Sequence, residues 1–252
     1  VSVVDSGTSA RSAVQALLGA ADASVCSAEP PDVVVGPQSS ECCVPTAPMT
    51  GAQDIPQFSF GAASTALDDL ATFPRFLRTF PTDTPLAHAH CVLWRELGYN
   101  VVGVIHPTDT YGAALQREIA GACDSHSIVA LSFGYTPGDD ASIVGAVSSI
   151  SDVAPSVTLI VAPAPRDFVA IVELASQELL SFNASNSARH SLRPMIFLLD
   201  IDLEASSLGE ASLEALNGSL RVALRTGADE QNPRWRQFLR DWPARAPADY
   251  NR

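Results

Sequence analysis

Short runs of apolar, often β-branched residues alternate along this chain with longer stretches of helical period. That alternation is the signature of parallel sheets wrapped by helices, so the predicted fold class is α/β. The runs predict strands at 1–5, 32–36, 56–60, 76–80, 101–106, 128–134, 157–162, 194–200 and 219–225. Most are continuously apolar, as expected for strands covered on both faces. Leu86, Ala89, Leu93 and Leu97 fall at i, i+3, i+7 and i+11, which predicts one apolar stripe on a helix ending at Gly98. Ile143, Val147 and Ile150 mark a second helix, and Phe168, Ile171, Val172, Ala175 and Leu179 a third. Leu213 and Leu216 close a fourth before Asn217-Gly218. Trp235, Phe238, Leu239 and Trp242 give a last amphipathic helix whose packing partners are expected outside this chain.

The alternation breaks at 80–85, where a strand runs through Pro81 and Pro85 into a helix without the usual tight connection. A domain crossover is expected there, and a second near 217–219. The predicted organisation is a first lobe over 1–80, a second over 81–218, and a return crossover with the start of the remaining first lobe over 219–252.

A length of 252 residues suits such a two-lobed arrangement. With 46% apolar and 17% charged residues the chain is not of disordered composition, and no run approaches the length of a membrane span. The formal charge of −13 argues against nucleic acid as a partner. The chain begins at Val1 without an initiator Met and is expected to be a piece of a longer protein. Its five cysteines, Cys26, Cys42, Cys43, Cys91 and Cys123, include no C-x-x-C pair, and their pairing is open. Asn183-Ala184-Ser185 and Asn217-Gly218-Ser219 are glycosylation sequons, compatible with secretion.

The common phosphate-binding loops and the nucleophile elbow are absent, so the usual α/β enzymes lose support and no catalytic residue is assigned. His88 and His90 lie about 200° apart around a helix and cannot share a metal. No metal or cofactor is predicted. In Val33-Val34-Val35-Gly36-Pro37-Gln38-Ser39-Ser40-Glu41 a strand stops at Gly-Pro and delivers two hydroxyls to a helix start. Such a start can seat a carboxylate or phosphate on backbone N–H groups and the helix dipole; equally, Ser40 can be simply an N-cap. Asp200 closes the strand 194–200, at the end of a sheet where α/β proteins bind ligands, although Asp200 and Asp202 can also serve as helix caps. Tyr111 follows the strand 101–106 and offers a ring face to a cation, or an ordinary rim side chain.

Five segments together resemble the ligand-binding region shared by class C G-protein-coupled receptors, natriuretic-peptide-type receptors and bacterial amino-acid-binding proteins. They are VVVGPQSS at 33–40, IPQFSFGAAS at 55–64, FPRFLRTFPTDTPLAHAH at 73–90, LGYNVVGVIHPTDTYGAAL at 97–115 and ADEQNPRWRQFLRDW at 228–242. The phrasing at Arg78 to Asp83 and at Tyr111-Gly112 is most like that of metabotropic glutamate receptors. The resemblance implies the two-lobed type I periplasmic-binding-like (Venus flytrap) fold, with a small amino-acid-like ligand in the cleft. By position, Ser39 and Ser40 would hold its carboxylate, and Asp83, Tyr111 and Asp200 would surround its ammonium from the second lobe. Amino-acid-binding relatives have a Thr where this chain has Ala63, within Gly61-Ala62-Ala63-Ser64. One lost hydrogen bond costs roughly 0.5–1.5 kcal/mol, for which Ser64 can compensate.

The resulting expectation is a non-enzymatic, extracellular domain of a membrane receptor, tied to the membrane only through parts outside this chain and able to pair as a homodimer through the first lobe. The alternatives are a free solute-binding protein, periplasmic or secreted, and a small α/β enzyme using Asp83, Asp200 or Asp202.

Overall fold

The computed structural model describes residues 5–7, 9–20, 31–185, 195–199, 208–222 and 231–244. Two compact units divide the chain, Val1–Val222 and Ala223–Arg252. In the first unit, β1 (Val34–Val35), β2 (Gln57–Ser59) and β3 (Phe76–Arg78) form a parallel sheet in that order. A second parallel sheet has the order β5-β4-β6-β7-β8, built from β4 (Val101–Pro107), β5 (Val129–Tyr135), β6 (Val157–Val161), β7 (Met195–Leu199) and β8 (Leu220–Arg221). Each observed strand overlaps a strand predicted from the sequence, although β2 itself reads Gln57-Phe58-Ser59 and is no apolar run. Most of the expected strand 1–5 falls outside the described residues.

Helices α1 (Ala10–Ala20) and α2 (Ser40–Ala52) belong with the first sheet, and α2 packs on β2. Alternation decides which side chains it covers: Gln57 and Ser59 are fully buried while Phe58 between them is 37% exposed. Burying the Gln57 amide requires partners, and α2 supplies them one turn apart. Thr50 Oγ1 donates to Gln57 Oε1 at 3.1 Å, and Gln57 Nε2 donates to Thr46 Oγ1 at 3.0 Å. β1 ends early because Gly36 turns the chain at φ +102°, a conformation that side-chain-bearing residues rarely adopt.

The second sheet is covered on both faces, as its unbroken apolar strands require. Val102 and Val104 of β4 and Leu159 and Val161 of β6 pack with Cys91 and Trp94 of α3 (Thr84–Glu96) and Leu115 and Ile119 of α4 (Thr110–Ser125). Ile105 and Ile160 point the other way, onto Ile143, Val147 and Ile150 of α5 (Asp140–Val153) and Phe168 and Ile171 of α6 (Pro165–Ser185). α7 (Glu210–Leu216) precedes β8, which extends the sheet beside β7.

The stripe expected on α3 is corrected. Its buried face carries Leu86, Ala87, His90, Cys91 and Trp94, whereas Ala89 and Leu97 are exposed. A disulfide from Cys91 to Cys123 of α4, together with full burial of Trp94, turns that face inward. On α7, Leu213 is likewise exposed and Ser212 buried. In the second unit, α8 (Pro233–Ala244) stacks Trp235 on Phe238 with ring centroids 5.2 Å apart.

Candidate functional site

The carboxyl ends of the strands in both sheets lead into the loops that carry the residues singled out from the sequence, the edge at which open α/β sheets take ligands. At the end of β1, Ser39 caps α2 by accepting the amide of Cys42 on Oγ at 3.3 Å. Ser40 follows, only 3% exposed, and its Oγ accepts the amide of Ser64 at 3.1 Å. Ser64 is itself fully buried and caps the short 3-10 turn Thr65–Asp68 by accepting the Ala66 amide. All three hydroxyls therefore act as acceptors toward the protein. A hydroxyl has one hydrogen to donate besides its two lone pairs, so accepting these amides does not use up its donor.

The loop after β2 is held from behind by Arg78 at the end of β3. Its Nη1 donates to the carbonyls of Ala62 (3.2 Å) and Ser64 (2.8 Å), and its Nη2 pairs with Asp68. Ala63, also buried, accepts the amide of Asp83 on its carbonyl at 3.2 Å. Ser40, Ala63, Ser64 and Asp83 thus form one group against the first sheet. Asp83, expected on the second lobe, begins α3 with its backbone bonded to a first-sheet loop, and is 5% exposed.

Tyr111 lies in the first turn of α4, its side chain packed against the core cluster that α3 and α4 share. Asp109 caps the same helix, accepting the Gly112 amide at 2.8 Å. The first sheet reaches this point through Glu41 in the first turn of α2, whose Oε2 accepts the amide of Thr110 at 3.2 Å. The starts of α2 and α4 therefore meet. Burial raises the pKa of Asp109, and the Glu41 carboxylate adds to that rise while the Gly112 and Tyr111 amides oppose it. His106, at the end of β4, has its pKa lowered by burial, and its ring is held by the Pro107 carbonyl (2.8 Å) and Ser132 Oγ (2.7 Å).

Asp200 and Asp202 lie outside the described residues. Asn183 falls in the last turns of α6, and Asn217 is exposed in the turn after α7. Sequence reasoning missed Glu41, Asp109 and Glu118. For Asp109 a signal existed, since Asp before Thr-Tyr-Gly fits an N-cap. Cys42 and Cys43 are free but buried, and burial pushes the Cys43 thiol up to about 11, which leaves it un-ionised at neutral pH. Among the described residues no group of His, Cys, Asp and Glu is placed to hold a metal ion. No helix among them is long and apolar enough to cross a membrane.

Comparison with known proteins gives this architecture a family. The profile described as "Receptor family ligand binding region" matches residues 1–193. Taste receptor type 1 member 3 of Felis catus is 33% identical over 104 residues, which is 41% of this chain and 12% of that relative. The Rattus norvegicus protein of the same name is 32% identical over 109 residues, 43% of this chain and 13% of the relative. G-protein coupled receptor family C group 6 member A of Carassius auratus is 34% identical over 107 residues, 40% of this chain and 12% of the relative. The match thus spans a small part of each relative's length.

Proposed function

The chain belongs to the family of receptor ligand-binding regions, and from that premise we propose that it is the extracellular ligand-binding domain of a class C G-protein-coupled receptor, taking a small zwitterion between two lobes. The observation that carries this reading is the Ser40–Ser64 pair. Accepting the Ser64 and Ala66 backbone amides does not engage the hydroxyl hydrogens of either residue, and hydrogen-bond donation is the chemistry that suits a carboxylate. The start of α2 adds its dipole to the same spot. By position in the family, Tyr111 and Asp200 are assigned to the ammonium, with Asp83 beside them.

In this reading the lobes are 1–80 and 81–218, with the return crossover from 219 onward. A ligand with one charge for each lobe satisfies both only when they approach, so it favours the closed state by its differential contacts. Shifting such an equilibrium from mostly open to mostly closed takes about 5.5 kcal/mol of difference. The domain is non-enzymatic, and its signal passes to the membrane through parts of the protein outside this chain. Exposure of Asn217 supports a glycan there, and pairing of two copies through the first lobe is part of the same proposal. Relatives that are receptors by name favour this reading over a free solute-binding protein.

Titration calorimetry against a panel of amino acids tests it. The expected result is heat from at least one ligand, lost in Ser40→Ala and in Asp200→Ala. Normal binding by both variants would remove the site assignment, and silence across the panel would remove the amino-acid-like ligand.

A further inference from the structure

Two carboxylates tie α4 to chain that lies before the second sheet. Near its middle, Glu118 accepts Thr65 Oγ1 at 3.1 Å and Thr84 Oγ1 at 2.7 Å, one hydroxyl on each oxygen. Thr65 opens the 3-10 turn against the first sheet, and Thr84 begins α3 at the crossover. At the helix start, Glu41 of α2 accepts the Thr110 amide at 3.2 Å. At 1.5 Å per residue these attachment points are about 12 Å apart along the helix. The Glu118 tie sits beside the connection between the layers, whereas the Glu41 tie sits at the ligand-facing end. A rotation of the layers about the connection stretches the second before the first.

We infer that Glu41 is a built-in latch that holds the two lobes together at the open end of the cleft without any ligand, with Glu118 as its pivot. The inference rests on reading the layers as moving lobes but needs no ligand to be identified. Its attraction is that of a carboxylate for a helix-start amide and the dipole behind it. Opposing it is the Asp109 carboxylate, which caps the same helix and shares a partly buried site with Glu41 and the imidazole of His106. Attraction and repulsion at one point make a latch that a ligand or partner can release.

Hydrogen exchange of the Thr110 amide, read by NMR on the whole chain, tests the latch, with small-angle scattering reporting the radius of gyration. Glu41→Ala is expected to speed exchange at Thr110 by about tenfold or more, the scale of a lost bond to a charged acceptor, and to expand the molecule. Amides from Ala114 to Ile119, inside the helix, stay protected. Asp109→Asn keeps a good N-cap and removes the repulsion, so it is expected to slow Thr110 exchange by about twofold or more. Unchanged exchange and dimensions in Glu41→Ala, or loss of protection along the whole of α4, overturns the latch. Should Glu41→Ala fail to fold, the Asp109→Asn arm decides: slower exchange supports the latch, and unchanged or faster exchange overturns it. Because both readouts are taken without ligand, a failed latch is distinguishable from a failed calorimetric panel.

Discussion

Ser40 Oγ accepts the backbone amide of Ser64 at 3.1 Å, and both residues are buried at 3% exposure or less. This contact joins the start of α2 to the loop after β2 and fixes where the hydroxyls of both residues lie. Arg78 completes the arrangement by gripping the carbonyls on the other side of the same loop. Ser40→Ala leaves the Ser64 amide buried without its acceptor and is expected to destabilise the protein by about 1–3 kcal/mol. Ser39→Ala removes an exposed cap and is expected to cost about 1 kcal/mol. Urea unfolding of the two variants checks that order.

The disulfide between Cys91 and Cys123 closes a loop with a sequence separation of 32 residues between α3 and α4. On the chain-entropy account, a loop of that size contributes about 4 kcal/mol. Replacing both cysteines with Ala is expected to lower the melting temperature by about 8–15 °C, measured by calorimetry. Ligand heats measured at 10 °C should persist, since Ser40 and Ser64 lie outside α3 and α4.

Acid should weaken the fold through His90. Burial holds its pKa below the ordinary histidine value, with the Leu86 carbonyl opposing that shift. The unfolded chain therefore binds the proton more readily than the native one, so the contribution is fully present above about pH 6.5 and is lost as pH falls below it. His106 is lowered by burial in the same sense. His90→Gln is expected to be less stable than the parent at pH 7.5, with the gap narrowing at pH 5.5. Urea midpoints at the two values check this; a constant gap would refute it.

Within α4, two glycines should respond oppositely to alanine. A Cβ on Gly112 would lie 2.0 Å from the Pro107 carbonyl oxygen, so Gly112→Ala must push the helix start off β4. The expected cost is about 1–3 kcal/mol. Gly121 has open space around the same position, so Gly121→Ala is expected to stabilise by about 0.5–1 kcal/mol. Thermal melts of both variants separate the steric reading from a general intolerance of this helix.

β4 and β6 were legible because a strand buried on both faces needs an unbroken apolar run, and that need is local. Ser39 declared the start of α2 for an equally local reason, since a helix end must satisfy its own amides, whereas Ser40 gives its hydroxyl to the Ser64 amide. Periodicity was less informative on α3, where Leu86, Ala89, Leu93 and Leu97 made as good a stripe as the true one. Only the placement of α4 chose between them, by putting Cys123 opposite Cys91 and closing over Trp94. The bonds of Glu41 to Thr110, of Glu118 to Thr65, and of Arg78 to the Ala62 and Ser64 carbonyls were invisible in the sequence. Burial recurs along an element and leaves a period, whereas a single polar group meeting a partner tens of residues away leaves none. The sequence by itself determined the layers and their order of appearance; the tertiary structure decided which polar atoms the layers bring together.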